Sequence, residues 1–94
     1  MSYRVEVQLS AERDFDHLPA KAQGQVFRAL AALEENPRPP GIVALKGKLK
    51  GRYRLRTGDF RISYSVEDKA KVVRVWQIGN RDKFYNQARR RNTG

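Results

Sequence analysis

The stretch from Arg52 to Val66 constrains this chain more than any other. Tyr53 and Leu55 alternate with Arg52, Arg54 and Arg56; Thr57-Gly58-Asp59 follows as a turn signal; Phe60, Ile62, Tyr64 and Val66 then alternate with Arg61, Ser63 and Ser65. Side chains along a strand point to opposite faces in turn. A period of two on both sides of a turn of hairpin length therefore predicts an antiparallel hairpin with one apolar face. That face needs a cover. The opposite face carries Arg54, Arg56 and Arg61, with Arg52 at its end.

The first half of the chain supplies the cover. Tyr3, Val5, Val7 and Leu9 alternate with Arg4, Glu6, Gln8 and Ser10, the pattern of a half-buried strand. Ser10 is positioned to cap a short helix with Ala11, Phe15 and Leu18 on one face. Pro19 opens a second helix running to about Glu35, with Val26, Phe27, Leu30, Ala31 and Leu33 as its apolar stripe. Gly24 costs that helix roughly 1 kcal/mol relative to alanine, which the stripe outweighs. Asn36-Pro37-Arg38-Pro39-Pro40-Gly41 ends it, because proline lacks the amide donor and biases its predecessor away from helix.

Residues 36–51 form a connection ending in Leu45-Lys46-Gly47-Lys48-Leu49-Lys50-Gly51. After the hairpin, Glu67-Asp68-Lys69-Ala70 makes another turn, and a strand runs from Val72 to Ile78. Its alternation is broken: Val73 and Val75 point one way, Val72, Trp76 and Ile78 the other. That pattern suits a central strand covered on both faces, or one covered by the chain end. Trp76 is read as core, with stacking on a nucleic-acid base as the alternative. Residues from about Arg81 to Arg91 form a short helix or tail. Helices grouped early and strands late predict an α+β domain over residues 1–94. Two helices pack on one face of an antiparallel sheet of about four strands, in the order β-α-α-β-β-β.

With 94 residues and no cysteine, the core must rest on aliphatic and aromatic side chains alone, and disulfides and thiolate metal sites are ruled out. No apolar run approaches the roughly 20 residues that cross a bilayer, and the N-terminus lacks the apolar stretch of a secretory signal. A cytoplasmic location is expected. Twenty Lys and Arg against ten Asp and Glu leave a net charge of +10. Such an excess favours a polyanionic partner, since each phosphate neutralised releases counterions. No amphipathic basic segment with exposed bulky apolar residues points to a membrane. Nucleic acid leads, and an acidic protein is the other candidate.

Like charges paired across strands are destabilising, so an arginine-bearing hairpin face is a poor choice for stability alone. An anion spread over it offsets the repulsion; a plain solvated basic face is the competing reading. Familiar catalytic sets are missing. His17 reads as a surface histidine, no histidine–carboxylate–nucleophile set assembles, and no spacing suits a metal. Glu34-Glu35 and Glu67-Asp68 read as surface punctuation. Gly47 and Gly51 flank lysines without the phosphate-loop pattern, so neither a metal nor a small-molecule cofactor is expected.

Four stretches resemble the RelE/ParE superfamily of bacterial and archaeal toxins: Leu33-Glu34-Glu35-Asn36-Pro37, Leu45-Lys46-Gly47, the hairpin from Tyr53 to Tyr64, and Ile78-Gly79-Asn80-Arg81-Asp82-Lys83-Phe84-Tyr85. The resemblance spans nearly the whole chain. RelE-type members bind the ribosome and cut messenger RNA in the decoding site. The basic pair, the arginine on the next strand, and the C-terminal arginine and tyrosine that they use are matched by Arg54 and Arg56, Arg61, and Arg81 with Tyr85. ParE-type members, which poison DNA gyrase, generally lack the full set, and this tilts the reading toward the ribonuclease branch. Two positions depart from the pattern. The basic pair is arginine at both places, a good phosphate clamp but a poor general base. Asn80 stands where many relatives have histidine, so no proton transfer is assigned there.

The resemblance implies a metal-independent endoribonuclease in which the 2′-hydroxyl of the RNA attacks the adjacent phosphorus and expels the 5′-oxygen. On that view Arg61 contacts the phosphate, and Arg54 and Arg56 hold its neighbours. Tyr85 is the candidate general base, its phenolate favoured by nearby guanidinium groups; packing on the core is its other reading. Arg81 stabilises or protonates the leaving oxygen, or else contacts phosphate or antitoxin. Arg52, Lys46, Lys48 and Lys50 extend the RNA-binding surface. Expected partners are the ribosome, messenger RNA and a cognate antitoxin with an acidic wrapping segment, its affinity weakened by salt. A gyrase-inhibiting toxin without enzymatic activity, and a basic nucleic-acid-binding module without catalysis, are the alternatives.

Overall fold

The structure is a computed structural model, and it describes residues 2–80. The helix or tail expected from about Arg81 lies outside them. Along the chain come β1 (Arg4–Val7), α1 (Leu9–Asp16), α2 (Ala20–Glu35), β2 (Val43–Ala44), a 3-10 turn (Gly47–Leu49), β3 (Arg52–Thr57), β4 (Phe60–Glu67) and β5 (Val72–Asn80). The α+β class and the order of the long elements are as the sequence predicts. The additional strand is β2, which pairs Val43 with Arg54 and Ala44 with Tyr53 at the sheet edge.

The five strands lie in the order β1-β5-β4-β3-β2. Three pairings are antiparallel, but β1 runs parallel to β5, with Val5 beside Val73 and Val7 beside Val75. The sheet is therefore mixed rather than wholly antiparallel. Tight turns impose antiparallel neighbours. No turn joins β1 to β5, and the two intervening helices free the first strand to dock on the far edge in either sense.

Both helices pack on one face. Ala11 from α1 and Val26 and Leu33 from α2 are fully buried against Ile62, Tyr64, Val73, Val75 and Ile78. Pro19 precedes the first turn of α2, as its fixed φ suits. Two helix expectations are corrected. The residue flanking α1 is Gln8, not Ser10, and Ser10 Oγ instead donates to the carbonyl of Trp76 at 2.8 Å. Phe27, expected in the stripe of α2, is 66 % exposed, and Ala31 is exposed as well. The core-facing line runs through Ala22, Val26 and Leu33. Phe27 and Ala31 fall on the flank beyond β1, lining an apolar groove of about 330 Å³ with Val5, Val7, Phe15 and Leu30.

The broken alternation of β5 has a simple cause. Ser63 pairs with Gln77 and Tyr64 with Val75, so Trp76 is an extra residue with no partner on β4. This bulge restores the face: Val73, Val75 and Ile78 all join the core although their spacing is not even. Beyond Val75, β1 no longer covers the edge of β5. α1 and its approach take over, with Gln8 N donating to the Val75 carbonyl at 2.9 Å and Asp14 Oδ2, from the last turn, accepting from Ile78 N at 3.0 Å. The helix thus satisfies backbone groups that an open edge would leave to solvent.

Candidate nucleic-acid interface

Opposed residues in an antiparallel ladder share a face. Arg54 stands opposite Ser63, Arg56 opposite Arg61, and Arg52 opposite Ser65. Tyr53, Leu55, Ile62 and Tyr64 occupy the other side and pack in or against the core. Arg54, Arg56 and Arg61 are therefore brought together on the face opposite α1 and α2, as the sequence predicts. The two-residue loop between them begins at Gly58, whose φ of +59° meets the demand of a tight hairpin. A β-carbon there would meet Gln25 Oε1 of α2 at 2.8 Å, so the loop is also held closely from the helical side.

Arg52 takes a different position. Its guanidinium lies over the indole of Trp76, 4.4 Å from the ring centroid. The indole Nε1 donates to Ser65 Oγ at 2.9 Å. Trp76 is consequently not a core residue, which corrects the sequence reading. Alternation from Val73 and Val75 sets it on the arginine face, and the bulge after it returns Ile78 to the core. The signal was present in the uneven spacing of Val75, Trp76, Gln77 and Ile78, which one inserted residue explains.

Charge is distributed unevenly over this face. On the β1–β5 side, Arg74 pairs with Glu67 and lies 3.7 Å from Glu6, and Arg4 pairs with Glu6 at 2.8 Å. Those carboxylates hold the Arg74 guanidinium more firmly protonated. On the β3 side, among the described residues, no carboxylate pairs with Arg52, Arg54 or Arg56. Positive potential is thus concentrated along β3. Lys46, Lys48 and Lys50 are exposed around the 3-10 turn that leads into β3. They extend the basic surface at the Arg52 end, away from Arg56 and Arg61. β5 ends at Asn80, opposite Phe60 and next to the Gly79–Arg61 pair. Arg81 and Tyr85 lie outside the described residues.

The apolar side of the hairpin is fixed by a polar clasp. Tyr64 is fully buried and donates its hydroxyl to the Pro37 carbonyl at 2.7 Å; burial pushes that phenol up to about 12. Its ring lies 5.7 Å from that of Tyr53. Arg38 donates to the Tyr53 hydroxyl at 3.1 Å and grips Asp68 with two bonds of 3.0 and 2.9 Å. Tyr3 adds a third bond to Asp68 at 2.9 Å. Hydrogen bonds from Arg38 and Tyr3 bring the Asp68 carboxyl down to about 2. Glu67 and Asp68 are therefore more than surface punctuation: one holds Arg74, the other ties the proline-rich connection to the β4–β5 turn. His17 is an exposed residue bonded locally to the Arg13 carbonyl, as expected. Among the described residues no group of three His, Asp or Glu is arranged to hold a metal.

Residues 5–85 match the family described as the ParE toxin of the type II toxin–antitoxin system parDE. The chain is 32 % identical over 84 residues to Toxin RelE of Mycobacterium tuberculosis, covering 88 % of this chain and 86 % of that protein. Among solved structures it resembles the RelE–RelB complex of Pyrococcus horikoshii, with a TM-score of 0.75, 30 % identity, and coverage of 86 % of this chain and 97 % of the other. The toxin–antitoxin complex RelBE2 of Mycobacterium tuberculosis shares the fold, with a TM-score of 0.78 at 24 % identity, over 86 % of this chain and 100 % of that one.

Proposed function

The chain belongs to the RelE/ParE superfamily of type II toxins, on its RelE-like side, and we propose that it is a ribosome-dependent endoribonuclease that cuts messenger RNA in the decoding site. As a type II toxin it is neutralised by a cognate antitoxin. The observation that carries the nuclease reading is the register of the hairpin, which sets Arg54, Arg56 and Arg61 side by side on the face opposite α1 and α2. Such a surface is costly without an anion and well suited to one.

In this mechanism the RNA supplies its own nucleophile. The 2′-oxygen forms a bond to phosphorus as the bond to the 5′-oxygen breaks, giving a cyclic phosphate and a free 5′-hydroxyl. Arg61 binds the phosphoryl oxygens on which charge develops, and Arg54 and Arg56 hold the neighbouring phosphates so that the attacking and leaving oxygens stay in line. Tyr85 takes the proton from the 2′-hydroxyl, and Arg81 stabilises the departing 5′-oxygen, which takes its proton from water. No step calls on a metal or a small-molecule cofactor. An acidic antitoxin segment competing for the same arginines would account for neutralisation, and the site of action is the cytoplasm.

The deciding experiment maps RNA 5′ ends after brief expression without antitoxin. In-frame cuts within translated regions are expected, and Arg61→Ala and Tyr85→Phe, each folded, should abolish them. Full activity in both variants would remove this assignment. The match to the ParE description supports a second reading, gyrase inhibition through protein contacts. Expression would then raise a DNA-damage response and leave messages intact.

A further inference from the structure

We infer that Arg52 and Trp76 form an exchangeable stacking site for one nucleobase of single-stranded RNA, beside the phosphates held by Arg54 and Arg61. This inference rests on the nucleic-acid reading of the arginine face and names the group that contacts a base there.

Three observations lead to it. First, Trp76 has no ladder partner on β4, and the largest aromatic side chain of the chain stands on a polar face, where Ser65 rather than the core receives its N–H. Second, that bond holds one edge of the indole against β4, which restrains the ring before any ligand arrives. Third, what covers the ring is a planar cation: Arg52 reaches across β4 to lie 4.4 Å above it. Guanidinium planes and bases stack on indoles in the same way, and base–aromatic stacking is at least as favourable as a cation–π contact at a half-exposed site. A base can therefore take the place of Arg52 over Trp76. The released guanidinium then swings to a flanking phosphate, adding a charge-assisted contact that the free protein lacks.

The spacing suits such a role. Arg52 and Arg54 are two positions apart on one face of β3, about 6.6 Å along the strand. The stacking site is thus one side-chain step from the phosphate clamp, on the Lys46–Lys50 side. Phosphate contacts fix register but carry no sequence information, whereas a stacked base does depend on ring size and exposure. This pair accordingly gives the arginine face its sensitivity to base identity.

Trp76 is the sole tryptophan of the chain, so its emission reports on this site directly. The probes are a short 2′-O-methyl oligonucleotide, which cannot be cleaved through its 2′-oxygen, and an abasic strand with the same number of phosphates. Binding of each is measured independently at low salt by anisotropy of a labelled copy. The base-containing strand should quench or shift Trp76 emission on binding, while the abasic strand binds and leaves it unchanged. In Trp76→Leu the base-containing strand should bind about tenfold more weakly, with the abasic strand unaffected. Equal emission changes with both strands, no change with either, or no binding of either would overturn the proposal. The wild-type comparison decides even if the variant does not fold. Message cleavage on ribosomes tests the parent reading separately, so cleavage without a base-dependent emission change removes the stacking role alone.

Discussion

Arg56 of β3 lies directly across the ladder from Arg61 of β4, so two guanidinium-bearing side chains leave one sheet face as neighbours. Directly opposed like charges cost a sheet roughly 0.2–1 kcal/mol. Among the described residues Arg56 makes one long bond of 3.4 Å, to the Gly58 carbonyl, in return. Arg56→Gln should therefore raise the unfolding free energy by a few tenths of a kcal/mol in urea titrations while lowering message cleavage at least tenfold. A variant both less stable and fully active would contradict the assignment of this pair to ligand binding.

Asp68 makes stability depend on acid in a defined window. Its carboxyl titrates at about 2 in the folded chain against an ordinary 3.8. A depressed value means that the stabilisation is complete above the ordinary range and disappears as the pH falls toward 2. Asp68→Asn should melt below the wild type at neutral pH, and the gap should close in that acidic window. A gap constant from pH 7 to pH 2 would show that the Arg38–Asp68–Tyr3 clasp does not carry it.

The Tyr64 hydroxyl is buried with one purpose that the structure shows, bonding to the Pro37 carbonyl. Tyr64→Phe keeps the ring and leaves that carbonyl without its side-chain donor, at a cost of about 1–3 kcal/mol. Chemical denaturation should register this as a lower midpoint with an unchanged slope. A cost below about 0.5 kcal/mol would indicate that the bond is replaced.

Phe27 illustrates where a sequence pattern gives out. Its three- and four-residue spacing from neighbours of α2 marks it as apolar stripe, yet only one line of that stripe meets the sheet. Which line does so depends on how the helix is rolled against a strand distant in sequence. The grouping of Trp76 with Ile78 fails for a related reason, since a bulge shifts the face of every later residue, Ile78 among them, and leaves no mark except an uneven alternation. The parallel docking of β1 is likewise a long-range outcome. By contrast, Arg54, Arg56 and Arg61 could be placed in advance, because hairpin register follows from a two-residue turn and a period of two. Exposed Phe27→Gln should accordingly leave the unfolding free energy within about 0.5 kcal/mol of the wild type, whereas Val26→Ala, at a fully buried position, should not.

The strength of the arginine face as a phosphate site can be read from salt. Each phosphate neutralised on a single strand contributes about −0.7 to the slope of log K against log salt. Arg52, Arg54 and Arg56 together therefore predict a slope of about −2 for a short single-stranded RNA. The exposed lysines from Lys46 to Lys50 steepen it only if the strand is long enough to reach that end of β3. Arg54→Gln should reduce the slope by about 0.7 and weaken binding for every sequence alike, as a contact to phosphate must. Arg74→Gln should leave the slope unaltered, because Glu6 and Glu67 already neutralise Arg74 and no counterion is released there. Equal slope changes in the two variants would mean that the carboxylates beside Arg74 do not divide the face, and that its whole width binds nucleic acid.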